Sequence, residues 1–144
     1  MTSQDEPGRL PQARVEAVLA AGAEAAREHR AAVTLAVVDD GGHLLGLVRM
    51  DGVHTATVEV AIAKARSAAA FRRPIKLFAD QLAAGNLALL AIPSCVPLQG
   101  GVPIRPDGRI VGAVGVSGAA PEVDEAVAHA MVRHAASLDL AALS

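Results

Sequence analysis

The segment from Arg49 to His54 brings an arginine, an aspartate and a histidine close together in the chain. Arg49 can hold a carboxylate through two parallel hydrogen bonds, and His54 can donate or accept a proton near neutral pH. Asp51 can carry the same proton. The segment stands between a predicted strand and a predicted helix, where the unpaired amides of the helix start attract anions. With Lys64 further along the helix, these residues predict acid/base chemistry on a small carboxylate or carbonyl compound.

Ordinary structural roles explain the same residues. Asp51 can cap the helix and form an ion pair with Arg49 or Lys64. Lys64 lies about three helical turns beyond His54, so it joins the site only if a neighbouring loop folds over it, and otherwise it is a solvated lysine. The catalytic set of Arg49, Asp51, His54 and Lys64 is therefore a hypothesis that stands beside a structural alternative.

Gln99, Gly100 and Gly101 form a second candidate site. Two glycines allow the backbone to approach a ligand closely, and their N–H groups can hold an oxyanion. Gln99 can add its side-chain amide to the same place. The alternative is a turn that needs glycine for a positive φ.

The histidines are not spaced as a metal site, but one imidazole is enough for haem, which also needs an apolar slot. His43 and His54 are the candidates for that axial role. His129 follows Glu125 by four residues, which predicts a solvated helix face with ion pairs. His134 lies on an apolar stripe and is predicted to be a core residue. Haem is thus the candidate cofactor, and no metal-ion site is expected.

Composition excludes several classes of function. The net charge of −2 lacks the basic face that nucleic-acid binding requires, and two Phe without Trp or Tyr leave little for base stacking. One cysteine, Cys95, excludes an internal disulfide and any cysteine-based zinc site, and it is expected to be a small buried hydrophobe. No apolar run is long enough to span a bilayer and no signal peptide is recognised, so a cytoplasmic location without membrane contact is expected.

Hydrophobic periodicity predicts one α+β domain with a five-stranded antiparallel sheet and helices packed on it. Two hairpin signals, Asp40-Gly41 and Pro106-Asp107-Gly108, indicate antiparallel pairing. Residues 1–10 are predicted to be a flexible lead-in and residues 11–144 a single domain. The predicted helices cover 11–29, 53–72 and 77–90, with a last one opened by Pro121; the predicted strands cover 33–38, 43–50, 89–98 (an edge or irregular strand), 102–105 and 109–117.

Several motifs in a fixed order carry a resemblance to a known family. They are Ala36-Val37-Val38-Asp39 with Gly41-Gly42 and Arg49-Met50-Asp51-Gly52, then Lys64-Ala65-Arg66-Ser67-Ala68 with Phe71, then Gly100-Gly101-Val102-Pro103-Ile104, and Gly112-Ala113-Val114-Gly115-Val116-Ser117-Gly118 with Asp124. From about residue 11 to 136 the chain resembles the GlcG/HbpS family, which includes the C-terminal domain of PduO-type adenosyltransferases. The resemblance implies a profilin-like fold, assembly into homo-oligomers and, in some members, haem binding.

Three hypotheses follow. The first is a cytoplasmic small-ligand-binding protein of the GlcG/HbpS type, with haem or a related tetrapyrrole as its ligand at His43 or His54 beside Gln99, Gly100 and Gly101. The second is a cofactor-free enzyme in which Arg49 anchors the anion and His54 or Asp51 moves a proton. The third is an accessory subunit whose alanine-rich faces only assemble. Whether the protein is an enzyme is left open by the sequence.

Overall fold

The computed structural model describes residues 10–143, and the side chains of residues 10–138. The predicted lead-in over residues 1–10 lies outside the described residues except for Leu10. The elements in chain order are helix α1 (Gln12–Glu28), strands β1 (Thr34–Asp39) and β2 (Leu44–Arg49), helices α2 (Ala56–Phe71) and α3 (Lys76–Ala83), a 3₁₀ turn (Leu87–Ala91), strands β3 (Gly101–Ile104) and β4 (Gly112–Ser117), and helix α4 (Pro121–Leu143).

The strands form one antiparallel sheet in the order β2-β1-β4-β3. The α+β class is confirmed, but the sheet of the described residues has four strands and the prediction of five is wrong. The predicted strand over 89–98 is replaced by the 3₁₀ turn and an irregular segment. Pro93 and Pro97 have no N–H to give to a neighbouring strand, and Ser94 adopts a left-handed φ of 66°.

Helices cover both faces of the sheet. Leu35 and Val37 of β1 pack against α1 and α4, whereas Ala36 and Val38 pack against α2. Because side chains alternate along a strand, the β-branched run of β1 is buried on both sides, as the sequence predicts. β2 is an edge strand and remains largely exposed.

Gly115 lets α2 lie close on β4. A Cβ atom at this position would collide with the carbonyl oxygen of Ala61 and lie 2.7 Å from the amide nitrogen of Ala65. The structure confirms the prediction that this glycine allows a helix to lie close on the sheet. Within the described residues no helix is long and apolar enough to cross a membrane.

Candidate functional site

Arg49, Asp51 and His54 lie at the predicted junction between β2 and α2, and all three are exposed. Within the described part of the chain, no hydrogen bond or ion pair joins their side chains. Val53 between them is buried and holds the segment against the fold. The structure therefore brings these residues to one end of the molecule without linking them, and their catalytic role stays a prediction.

The start of α2 is held by threonines and not by Asp51. The N-cap residue is Thr55, and no side chain caps the helix, so the capping role of Asp51 is wrong. Thr57 Oγ1 donates to the His54 carbonyl at 2.7 Å, and it lies 2.8 Å from Thr34 Oγ1. This pair ties the first turn of α2 to β1.

Lys64 is buried, so the expectation of a solvated lysine is wrong. Its ammonium donates to the Val116 carbonyl at 2.8 Å and to Asp124 Oδ2 at 3.2 Å. Lys64 shares the sheet-facing stripe of α2 with Ala61 and Ala68, at helical spacing. Its ammonium lies at the end of β4 that is in register with Arg49, but β1 stands between them, and within the described residues it makes no bond to Arg49, Asp51 or His54.

Burial acts on both members of this pair. Burial lowers the pKa of the Lys64 ammonium, and the Asp124 carboxylate opposes that change. Burial likewise raises the pKa of the Asp124 carboxyl, against the effect of Lys64 and of the Ala119 amide, which donates to Asp124 Oδ1 at 3.0 Å. Each group keeps hydrogen-bond partners, as a buried ion pair requires.

Gly100 is held beside the same pair by Glu125. Its amide donates to Glu125 Oε1 at 2.9 Å, so that N–H is already engaged and the oxyanion role of Gly100 stays a prediction. Its φ of 110° confirms the alternative of a turn that needs glycine. A Cβ atom there would lie 2.6 Å from the Val116 carbonyl oxygen and 3.2 Å from Lys64 Nζ. Gly101 opens β3, and Gln99 is half-buried beside it.

His129 forms the predicted pair with Glu125, with 2.7 Å between Nε2 and Oε2. Glu125 is buried, however, so the prediction that this helix face is solvated is wrong at Glu125. The burial of Asp124 and Glu125 was not predicted, because acidic residues in a first helical turn are explained by the helix dipole alone. The available signal for their burial was Lys64, a lysine that lies within the alanine stripe of α2 and faces these acidic residues.

His43 lies in the β1–β2 turn, which Asp39 organises. The amides of Gly41 and His43 donate to Asp39 Oδ1 at 3.0 and 2.9 Å, and His43 Nδ1 lies 3.1 Å from the same oxygen. Partial burial raises the pKa of the Asp39 carboxyl, but these hydrogen bonds outweigh it and bring that pKa below its ordinary value. The predicted hairpin at Asp40-Gly41 is confirmed. The His43 side chain in this turn is 82% exposed.

Apolar side chains follow His43 along β2, but they do not all continue its face. Val38 pairs with Leu44 and Val37 with Gly46, so a β-bulge interrupts the alternation of side chains at Leu45. His43 pairs with Asp39, which by alternation lies on the side of β1 that faces α1 and α4. Leu45 is exposed, and Leu47 packs on the α2 cluster. On α2, Arg66 Nε donates to the Gly42 carbonyl at 3.0 Å. Arg66 therefore contacts the backbone of the turn from the α2 side, and the His43 imidazole lies with Asp39 on the other side.

Two surface grooves of the described residues lie elsewhere. One, of about 500 Å³, separates α1 from α4 and includes Glu24, Arg133 and His134. The other, of about 490 Å³, lies between α1 and the β2 edge and is mostly apolar. None of the predicted site residues lines either groove. His134 is half-buried, which is less than the core position predicted for it.

Comparison with known proteins identifies the fold and the family. The family described as "Haem degrading protein HbpS-like" matches residues 10–133. Protein GlcG of Escherichia coli (strain K12) is 44% identical over 108 residues, which cover 75% of this chain and 81% of GlcG.

Solved structures agree with this assignment. The crystal structure of HbpS superposes with a TM-score of 0.80 at 30% identity, covering 92% of this chain and 96% of HbpS. The crystal structure of the PduOC:heme complex has a TM-score of 0.78 at 24% identity, covers 88% of this chain and 94% of PduOC, and shows a shared fold. The chain belongs to the HbpS-like family.

Proposed function

We propose that this protein binds haem or a related tetrapyrrole, and that His43 is the axial ligand. Membership of the HbpS-like family and the haem complex of the structural neighbour PduOC support the ligand class. The observation that carries the proposal for this chain is the contact between Asp39 and His43. The Asp39 carboxylate contacts Nδ1 of the ring and does not engage Nε2.

The Asp39 contact determines which imidazole nitrogen is free. An ionised carboxylate only accepts hydrogen bonds, so Nδ1 of His43 carries the hydrogen and Nε2 carries the lone pair. Metal-binding histidines are commonly oriented by a carboxylate in this way. His54 is also exposed, but the described residues offer its ring no such partner. The geometry therefore favours His43 over His54.

The surroundings of His43 fit the remaining needs of a tetrapyrrole. Leu44 and Leu45 follow His43 in the chain and are 44% and 41% exposed, so they provide apolar surface beside the imidazole. His43 would hold the iron, and these leucines would cover part of the ring. Bound haem iron supplies one-electron and oxygen chemistry, and the protein contributes binding and orientation.

Hemin titration of the purified chain tests the proposal. We expect a Soret shift that saturates, and His43→Ala should weaken binding about tenfold or more, because it removes the axial ligand. His54→Ala is the matched control and should bind as the unmodified chain does. An unchanged spectrum in the titration, or equal binding by His43→Ala, contradicts the proposal.

No contact of the described residues favours the alternative of a cofactor-free enzyme on a small carboxylate or carbonyl compound. Arg49, Asp51 and His54 are exposed and unlinked, and Lys64 is engaged by Asp124. The Gly100 amide is engaged by Glu125.

We also propose that the chain assembles with copies of itself through the surface around the 3₁₀ turn. Leu87 and Leu90 are 68% and 66% exposed, and Leu77, Ile92 and Leu98 add to the same region of the chain. Apolar groups exposed together mark interaction surfaces. Sedimentation equilibrium should show an oligomer that Leu87→Gln with Leu90→Gln dissociates, whereas Leu44→Gln on β2 should leave it intact. A monomer at micromolar concentration contradicts this assembly.

A further inference from the structure

We propose that three arginines at the end of α2 form a docking site for an acidic segment of a partner protein. Arg72 and Arg73 directly follow α2, and Arg105 directly follows β3. All three side chains belong to exposed residues. The partner that fits this site is an extended chain carrying several carboxylates. The site uses no residue of the one proposed at His43.

Arg73 and Arg105 are held on carbonyls of consecutive residues. Arg73 Nε donates to the Phe71 carbonyl at 3.0 Å, and Arg105 Nη2 donates to the Arg72 carbonyl. Consecutive Cα atoms are only about 3.8 Å apart. The two guanidinium groups are therefore brought to one place on the surface, although they are distant in sequence. Arg72 belongs to the same place, because its backbone carries one of the two carbonyls.

No carboxylate neutralises these arginines in the described part of the chain. None of the three forms an ion pair with another described residue. The nearby acidic residues are engaged elsewhere, since Asp80 pairs with Lys76 at 2.8 Å and Asp107 accepts from the Arg109 amide at 3.2 Å. The whole chain has a net charge of −2, so this group is a local excess of positive charge. An anionic partner would relieve the repulsion within it.

Stabilisation of the helix end explains only part of this arrangement. The last carbonyls of a helix lack partners within it, and positive charge near that end is favourable. Arginine carries five N–H groups, however, and Arg73 and Arg105 each use one of them on a carbonyl. Among the described residues, the Arg72 side chain has no hydrogen-bond partner at all. Most of the donors of the three side chains are therefore available to a partner.

Carboxylates on an extended chain fit these donors. Neither of the two grooves in the described residues includes the three arginines, so the site is an open surface and not an enclosed pocket. Guanidinium groups bind carboxylates through two parallel hydrogen bonds, and groups already held in place lose less freedom on binding. A segment with several carboxylates can contact all three arginines together, so individually weak contacts reinforce one another. The negative net charge and the lack of Trp and Tyr disfavour a nucleic acid.

Fluorescence anisotropy with a labelled glutamate peptide tests the site. We expect saturable binding that becomes about tenfold weaker when Arg72→Gln, Arg73→Gln and Arg105→Gln are combined, because three small contributions are lost together. The three corresponding lysine substitutions keep the charge but not the fork, so they should recover part of the affinity. Binding should disappear in about 1 M salt, where the Debye length falls to about 3 Å.

Combining Arg27→Gln, Arg30→Gln and Arg133→Gln provides the matched control. These arginines are also exposed, the loss of positive charge is the same, and Arg30 likewise follows a helix with a left-handed φ of 56°. This variant should bind the peptide as the unmodified chain does. Equal weakening in both triple glutamine variants would reduce the effect to net charge and overturn the site. The site is also overturned if the unmodified chain does not bind the peptide, or if it binds duplex DNA or anionic vesicles more tightly.

Discussion

The ammonium of Lys64 lies 3.2 Å from the carboxylate of Asp124, and this contact joins helices on opposite faces of the sheet. Each side chain is 5% exposed. Water therefore cannot replace either partner when the other is removed. The Lys64 ammonium also donates to the Val116 carbonyl, and the Asp124 carboxylate also accepts from the Ala119 amide. Its energetics differ from those of the exposed ion pairs of this protein.

Breaking this buried pair should strongly destabilise the fold. Lys64→Ala or Asp124→Ala leaves one charge buried without its partner, which costs about 3–5 kcal/mol of unfolding free energy. The equivalent change at the exposed pair Lys76–Asp80 should have little effect on unfolding free energy, because solvent screens that pair. Urea denaturation measures both, and a double variant, Lys64→Met with Asp124→Leu, should regain much of the loss. Equal effects at the two pairs would contradict the assignment.

Glu125 should stabilise the turn at Gly100. Glu125→Ala leaves a buried amide without its acceptor, and we expect a loss of about 1–3 kcal/mol in unfolding free energy. Glu122→Ala, in the same helical turn but exposed, is the control and should change stability by less than about 0.5 kcal/mol. Amide hydrogen exchange at Gly100 provides a local readout, and it should become faster only in the first variant.

Gly115 should not tolerate a side chain. Gly115→Val forces α2 away from the sheet, because its Cβ would meet backbone atoms of Ala61 and Ala65 that cannot rotate aside. We expect a loss of about 3 kcal/mol or more in unfolding free energy. Gly41→Ala is the comparison, since the nearest atom to its Cβ belongs to the exposed ring of His43, which can move. Thermal melting of the two variants measures the difference, and an equal loss of stability in both would contradict this prediction.

Acid should weaken the β1–β2 turn through Asp39. The folded-state pKa of Asp39 lies below the ordinary value of 3.8, so between these two values the unfolded chain binds more protons than the folded chain. Stability contributed by Asp39 is therefore present above pH 3.8 and is lost as pH falls through the folded-state pKa. Carbon-13 NMR titration of the Asp39 carboxyl measures this midpoint. A midpoint at or above 3.8 would contradict the contacts assigned to it.

Local patterns were enough to predict most of the elements. The β-branched run of β1, the Asp40-Gly41 turn and Pro121 at the start of α4 each depend on neighbours in the chain, and the structure confirms them. The predicted strand over 89–98 failed because apolar composition was allowed to outweigh Pro93 and Pro97. Prolines remove the amides that a strand needs, whatever the hydrophobicity around them.

The site was harder to predict because its contacts are distant in sequence. Lys64 and Asp124 are separated by 60 residues, and neither position alone shows that it is buried. By contrast, Asp39 and His43 are four residues apart in one turn. His43 was predicted as a candidate ligand without its carboxylate partner, because the contact with Asp39 depends on the geometry of the turn.

The bond from Lys64 to Asp124 also passes around the end of the sheet without crossing it. Since α2 belongs to one layer and α4 to the other, sliding of either layer along the strands must stretch this contact. The two layers are consequently coupled in shear. A ligand that tightens α2 against the β1–β2 turn would therefore slow amide exchange at the start of α4, far from where it binds.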